Sequence, residues 1–388
     1  MRVLVTDGET RATLAITRSL GRRGHQVIVG DAQAGALAQT SRYCERAVQY
    51  ARPTVDEDSF VATLAETVAR ERIDVLLPVT DVTTAVVSER RGVFEPSCRI
   101  PLAPKASIAA AADKAGLLEL ATTLGVATPR TQRVETPNAM PSLELMFPVV
   151  VKPHRSRFRR GSGWGSGRVA YAADRIELDR LVAVAPPEAF PLLLQERIEG
   201  PGLGVFLCLR DGRTVARFCH RRLRERPPSG GVSVLSESIS PSPVAVESAE
   251  RLLRHLGWVG VAMIEFKVDQ RDGVAKLMEI NPRFWGSLQL AIDAGVDFPA
   301  ILVENGEGPE CYDVGVRSRW FWGDVDALLL RFFDRNEKLP TGYPGRLRTA
   351  LEFLRFFEPG VRFDNPRPDD VRPWFTESAQ WLQRMVSR

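Results

Sequence analysis

Nowhere in the 388 residues does an apolar stretch reach the roughly 18 consecutive residues that a membrane-crossing helix requires, so no membrane partner is expected. Cysteine is scarce. Cys44, Cys98, Cys208, Cys219 and Cys311 are odd in number and far apart, with no C-x-x-C pair for zinc or redox chemistry. Reduced, mostly buried thiols in a cytoplasmic protein are the expectation. The turn after the first apolar run reads "TDGETR" and lacks the G-x-G-x-x-G that brings backbone close to a pyrophosphate, which argues against a nicotinamide or flavin site. No G-K-[ST] follows the glycine-rich "RRGSGWGSG", Arg159–Gly167, so it is not a Walker phosphate loop. The opening residues have no long apolar core or small-residue cleavage site, and no export signal is expected. Neither sign of charge dominates: 52 Lys and Arg stand against 48 acids, so a nucleic-acid partner is not called for. Repeats and low-complexity tracts are missing as well.

What is present suits two or three packed domains, since 44% hydrophobic residues leave burial no obstacle at this length. The first hundred residues alternate strand and helix: "RVLVT", an amphipathic Thr10–Arg23, "QVIVGD", a helix near Ser59–Arg72, then "DVLLPVT". That rhythm predicts an open parallel βαβ sheet over 1–104. An alanine-rich run ending at Gly125 reads as one linker helix into a second domain, 105–308. From Pro148 short strands take over: "PVVVKP", "GRVAYA", a helix over Ile176–Val184, and "PLLLQERI". Hairpins through Asp211-Gly212 and Asp272-Gly273 follow, an antiparallel α+β pattern. The fold class is therefore α/β and α+β. Residues 309–388 read as a mainly helical extension without a chemical motif.

Chemistry concentrates in "AMIEFKVDQRDGVAKLMEINPRFWGS". Period-two geometry puts Glu279 and Asn281 on one strand face, and the hairpin partner brings Glu265 beside them. Two carboxylates and an amide oxygen suit magnesium, which takes hard oxygen ligands and shares them with substrate phosphates. Arg283 lies two residues further along that face and is placed to meet phosphate charge. Lys152 closes an apolar strand as either a snorkelling edge charge or a phosphate ligand. Gln195, Glu196 and Ile198 end another strand, where backbone groups can pair with an adenine edge and Ile198 can cover its face, or where the polar residues are an ordinary strand terminus. Arg221 and Arg222 end a third strand, and alternation allows only one of them to face a site. Ser229-Gly230-Gly231 beyond them can expose backbone N–H groups as an anion nest.

In the order Lys114, Lys152, Gln195-Glu196, Glu265, Glu279-x-Asn281-x-Arg283, with "MEINPRFWGS" the most specific motif, the chain resembles the ATP-grasp superfamily over about residues 1–308. The likeness is to the carboxylate–amine ligase branch that includes carbamoyl phosphate synthetase and biotin carboxylase. It implies a pre-ATP-grasp domain followed by two α+β subdomains that grip ATP, the smaller over about 115–196. It assigns Lys114 and Lys152 to the nucleotide phosphates and Gln195, Glu196 and Ile198 to adenine. Glu265, Glu279 and Asn281 would hold magnesium, two ions, with manganese as an alternative; Arg283 would stabilise the transferring phosphate. Arg221 or Arg222, with the Ser229 loop, would bind the carboxylate or its acyl phosphate. The glycine run becomes a mobile lid over the ATP phosphates, with Arg159, Arg160, Ser162 and Gly163 at its tip.

The reaction the resemblance implies is activation of a small carboxylate as an acyl phosphate, ADP release, and capture by an amine. Thr80 and Asp81 would shape one side of the acceptor site. The chain shows no biotin-attachment segment and no duplicated half, so free-standing ligation of small molecules is expected. Alternatives are a kinase acting on a hydroxyl and a non-catalytic nucleotide-binding regulator. A second copy of the chain is the one protein partner entertained.

Overall fold

The structure is a computed structural model that describes every residue except 162, 334–338, 340–341, 356–357 and 388. The first domain holds four parallel strands in the order Cys44–Gln49, Gln26–Asp31, Arg2–Val5, Val75–Leu77. Helix Arg11–Arg22 makes the first crossover and Glu57–Glu71 the last. Both start where a side chain takes over an unpaired backbone N–H: Thr10 accepts from Thr13 N, and Asp56 from Ser59 N. The βαβ reading of the sequence is thus realised.

The expected single linker helix is two helices, Lys105–Ala112 and Lys114–Thr123. Asp113 breaks it, because its carboxylate captures the N–H groups of Ala115 and Gly116 and caps a new start. At that start the Lys114 N–H donates to His154 O at 2.8 Å. The break therefore ties the helix to the neighbouring strand and sets the position of Lys114.

A small antiparallel sheet follows, in the order Thr131–Val134, Leu192–Glu196, Val149–Pro153, Ala170–Ala172. The strand expected at "GRVAYA" contracts to its last residues. The glycine run ahead of it forms a two-stranded ribbon of its own, Arg157–Arg160 paired with Gly163–Ser166. Helix Arg175–Ala183 packs on this sheet.

Seven strands make the central sheet: Ala275–Asn281, Gly260–Val268, Gly202–Arg210, Arg213–Arg226, Val232–Ser238, Arg317–Arg319 and Val361–Phe363. Asp211 (φ 53°) and Gly212 (φ 72°) turn the hairpin at its centre, the left-handed pair a tight two-residue loop requires. One face buries Leu207, Ile264 and Leu277 against helix Pro243–His255; the other buries Phe206, Phe218 and Trp285 against the first domain.

The segment after residue 309 departs from the expected appendage. Helices Phe321–Phe333, Arg346–Phe353 and Arg372–Val386 are present, but Arg317–Arg319 and Val361–Phe363 complete the central sheet. The chain then returns to the first domain, where Arg18 and Asp370 pair at 2.8 Å with both side chains 1% exposed. These strands are three residues each, too short to stand out in the sequence.

Candidate active site

Glu265 lies directly opposite Glu279 in the antiparallel pair, and the register slips between Glu265 and Phe266, a local twist of the kind that re-aims side chains. Asn281 Nδ2 donates to Glu265 Oε1 at 3.1 Å and to Glu279 Oε1 at 3.3 Å. Arg283 Nη2 donates to Asn281 Oδ1 at 3.1 Å, and its other edge grips Asp81 of the first domain, Nε to Oδ1 at 2.6 Å and Nη2 to Oδ2 at 3.2 Å. The four residues anticipated from one strand pair are one connected cluster.

Two carboxylates this close, partly withdrawn from water, need cations. Lys114 Nζ bonds Glu279 Oε2, and Arg222 Nη2 lies 2.5 Å from Glu265 Oε2. Burial pushes the Glu265 carboxyl above the ordinary range, the Glu279 charge adds to it, and Arg222 opposes. Burial alone would raise Glu279 too, but the Lys114 ammonium, with Lys152 and the Asn281 amide, together outweigh it and hold that carboxyl low. Lys152 donates to Gln195 Oε1 at 2.8 Å, and burial with the nearby Lys114 charge lowers its ammonium to about 8.

Alternation along Arg213–Arg226 separates the two arginines. Arg222 faces the carboxylates and also bonds Glu225 at 3.3 Å and Gly231 O at 3.1 Å. Arg221 turns away to Glu237 at 2.7 Å, which Arg317 shares at 2.8 Å. The anion nest expected at Ser229, Gly230 and Gly231 is filled from within the protein. Gly230 N donates to Pro227 O and Gly231 N to Glu225 Oε2, both at 3.1 Å, while Ser229 O accepts from Tyr171 Oη at 3.2 Å. A carboxylate three residues beyond Arg222 sits where a substrate anion was anticipated; sequence reasoning passed over Glu225 because nothing local marks it.

At the strand end Gln195, Glu196 and Ile198 are buried. Gln195 spends its amide on Lys152 and Thr131. The Glu196 carboxylate accepts from Arg130 N at 2.9 Å and from Arg271 at 2.9 Å, with Lys276 3.6 Å away, so it joins the small sheet to the central one. Lys267 Nζ donates to Ile198 O at 3.3 Å.

The glycine-rich ribbon is docked on the first domain. Arg159 bonds both Glu57 and, at 2.6 Å, Glu89; Trp164 Nε1 donates to Glu57 Oε1 at 2.7 Å, and the Arg159 guanidinium lies over the Trp164 ring at 4.8 Å. A side chain at Gly163 would meet Thr54 O at 2.8 Å, so glycine is what permits this approach. Arg160 is exposed, and Ser162 lies outside the described residues.

Two cavities meet at the cluster. One of about 360 Å³ lies against Lys114, His154, Arg159, Glu279 and Asn281. The other, about 550 Å³, lies between the first domain and the central sheet, against Tyr50, Arg283, Trp285 and Trp320. Asp81 and Arg157 line both. Trp320 comes from the C-terminal segment and carries Arg11 and Arg226 over its ring at 4.1 and 5.0 Å, so that segment helps wall the site.

Among the described residues no group of three His, Cys, Asp or Glu could hold a metal alone. Glu265 and Glu279 would be the carboxylate donors for a magnesium ion that completes its shell with phosphate oxygens, and Asn281 would join them only by turning its amide over, since Nδ2 faces both carboxylates and Oδ1 accepts from Arg283.

Against this geometry stand the comparisons with known proteins. Residues 188–319 match the family model described as ATP-grasp in the biosynthetic pathway with Ter operon. The chain has the ATP-grasp fold. It is 28% identical over 258 residues to the vancomycin B-type resistance protein VanB of Enterococcus faecalis, covering 60% of this chain and 71% of that one. It is 29% identical over 196 residues to the carbamoyl phosphate synthase large chain of Mycobacterium tuberculosis, covering 44% of this chain and only 17% of that one. The L-amino acid ligase of Bacillus licheniformis superposes with a TM-score of 0.62 at 16% identity, over 79% of this chain and 73% of that one. ATP-grasp architecture therefore accounts for the parallel first domain, the small sheet and the central sheet together. No described helix is long and apolar enough to cross a membrane.

Proposed function

We propose that this ATP-grasp protein is an ADP-forming ligase that joins a small-molecule carboxylate to an amine. One observation carries the reading: the Glu265, Glu279, Asn281 and Arg283 cluster sits where two cavities share the walls Asp81 and Arg157. The smaller cavity suits a polyphosphate, since Lys114 and Glu279 line it and Lys152 lies within electrostatic reach of both. The larger suits the carboxylate acceptor. The likeness in fold to an L-amino acid ligase supports the ligase reading.

In the reaction, a carboxylate oxygen of the acceptor attacks the γ-phosphorus of ATP, the bond to the β–γ bridging oxygen breaks, and ADP leaves. The amine then attacks the acyl carbon, loses a proton, and phosphate departs. Magnesium held by Glu265, Glu279 and Asn281 would supply charge neutralisation. The chain's own part is positional. Arg283 presents a fixed guanidinium between the two cavities, oriented by its bidentate pair with Asp81. Lys114 and Lys152 offset phosphate charge and Arg222 sets Glu265; no serine or cysteine nucleophile is required.

A screen of carboxylates crossed with amines tests this. ADP release should need a carboxylate, and phosphate release should need the amine; AMP and pyrophosphate would overturn the reading, and a stable phosphoester formed without amine would point to a kinase. Glu279→Gln should lower turnover at saturating magnesium by roughly 100-fold or more with the fold retained. Full turnover in that variant would remove the metal assignment.

A further inference from the structure

Arg319 pairs with Leu235 in the central sheet, so Trp320 falls opposite Val234, and its N–H donates to Val234 O at 2.8 Å. Val232 lies two residues back on the same strand face and is therefore a diagonal neighbour of that tryptophan. It is apolar yet 53% exposed, and it lines the larger cavity together with the half-buried Trp320. One corner of that cavity is thus apolar side chain that the fold leaves uncovered.

The Trp320 ring is held on several sides. Its Nε1 donates to Glu377 Oε1 at 2.7 Å, and Glu377 is itself fixed by Asn365 Nδ2 at 2.6 Å. Gly323, in the helix that follows, lets that helix lie against the ring, because any side chain there would collide with it. Arg11 of the first domain and Arg226 of the central sheet lie over the ring at 4.1 and 5.0 Å. Each guanidinium is already matched by a carboxylate of the C-terminal segment, Arg11 by Asp364 and Arg226 by Asp326. The two arginines therefore fix the plate without offering an unmatched charge beside it. A ring so anchored cannot swing aside for a larger ligand, and a rigid apolar wall discriminates by size and by the cost of burying a polar group against it.

We propose that Trp320 is a specificity-determining residue for the acceptor: with Val232 it seats an uncharged, apolar part of the carboxylate substrate, while the carboxylate itself lies at Arg283, and the fixed ring sets the largest group that fits. The C-terminal segment then does more than complete the central sheet. It selects the substrate. The inference rests on reading the larger cavity as the acceptor site.

Binding to the full-length protein, with ADP and magnesium present, decides it. Hexanoate and 5-hydroxypentanoate have the same length and differ only in a terminal methyl or hydroxyl; 2-naphthylacetate is the bulky probe. Hexanoate should bind the unaltered protein about tenfold or more tightly than 5-hydroxypentanoate. Trp320→Phe should keep that gap, and Trp320→Ala should narrow it to about threefold or less. Affinity for 2-naphthylacetate should rise about threefold or more at each step from tryptophan to phenylalanine to alanine. The melting temperature shows which variants are folded; should the alanine variant not fold, the gain for 2-naphthylacetate in Trp320→Phe decides alone. Equal binding of hexanoate and 5-hydroxypentanoate, a gap that survives Trp320→Ala, no gain for 2-naphthylacetate in the folded variants, or no binding of any of the three acids would overturn the proposal. The ligase reading is scored separately. ADP released equally with hexanoate and 5-hydroxypentanoate, in the unaltered protein and the variants alike, keeps that reading and sinks this one; binding graded by residue 320 without ADP release from any carboxylate does the reverse.

Discussion

Of the arginine–carboxylate pairs that join the first domain to the rest of the chain, three can be ranked by how much water reaches them. Arg18 and Asp370 are sealed, each 1% exposed. Arg283 and Asp81 stand at the meeting of two cavities, 23% and 32% exposed. Arg23 and Glu304 pair at 2.7 Å on the surface, 47% and 32% exposed, with His25 also on Glu304 at 3.0 Å. The same chemistry serves as a lock in the first setting, because either charge left alone would be stranded without solvent. In the second it is an exchangeable contact, since solvent or substrate can take the place of either partner. In the third, water competes on equal terms and little stability is gained.

Asp370→Ala is the severest way to break this comparison. It strands Arg18, which also bonds the main chain of Asp364 and Asp370, and removes the acceptor of Ser41 Oγ at 2.7 Å. Unfolding by denaturant should show a loss of about 3–5 kcal/mol; a loss under about 1 kcal/mol would place the pair with the surface ones. Asp81→Asn should separate stability from function. Its unfolding free energy should change by no more than about 1 kcal/mol, whereas kcat should fall about tenfold or more as Arg283 loses its orientation. A variant that unfolds as readily as Asp370→Ala would make Asp81 a structural residue instead.

Acid sharpens the exposed end of the series. Hydrogen bonds from Arg23, then His25, hold Glu304 at about 2, below its ordinary 4.5. A depressed carboxylate stabilises the fold above the unfolded value, and that stability fades as pH falls from 4.5 toward 2. Exposure screens the pair, so Glu304→Gln should cost less than about 1 kcal/mol at neutral pH and nothing near pH 2. A cost that is constant across that range would show that the charge plays no part.

Legibility in the sequence followed the distance over which each feature is determined. Glu265, Glu279, Asn281 and Arg283 were readable because strand alternation and one hairpin bring them together within twenty residues. The βαβ order of the first domain was readable for the same local reason, with the first helix placed to within a residue at each end. Asp113 was not, because an aspartate inside an alanine-rich run breaks a helix only when its neighbour has somewhere else to bond, and Lys114 N finds His154 O. The choice between Arg221 and Arg222 needed the position of Glu237 on the adjoining strand. The nest at Gly230 and Gly231 is taken up from within the protein, because Glu225 accepts the Gly231 N–H and Pro227 O accepts the Gly230 N–H.

Residue order alone was enough for the parallel first domain and for the carboxylate hairpin, since local periodicity and a strand hairpin need only neighbours in the chain. Which cations answer those carboxylates and where the glycine-rich ribbon rests were settled by packing. Charges act through space, and partners as far apart in sequence as Arg18 and Asp370, or Arg283 and Asp81, become neighbours only once three sheets and the returning C-terminal segment have closed around them.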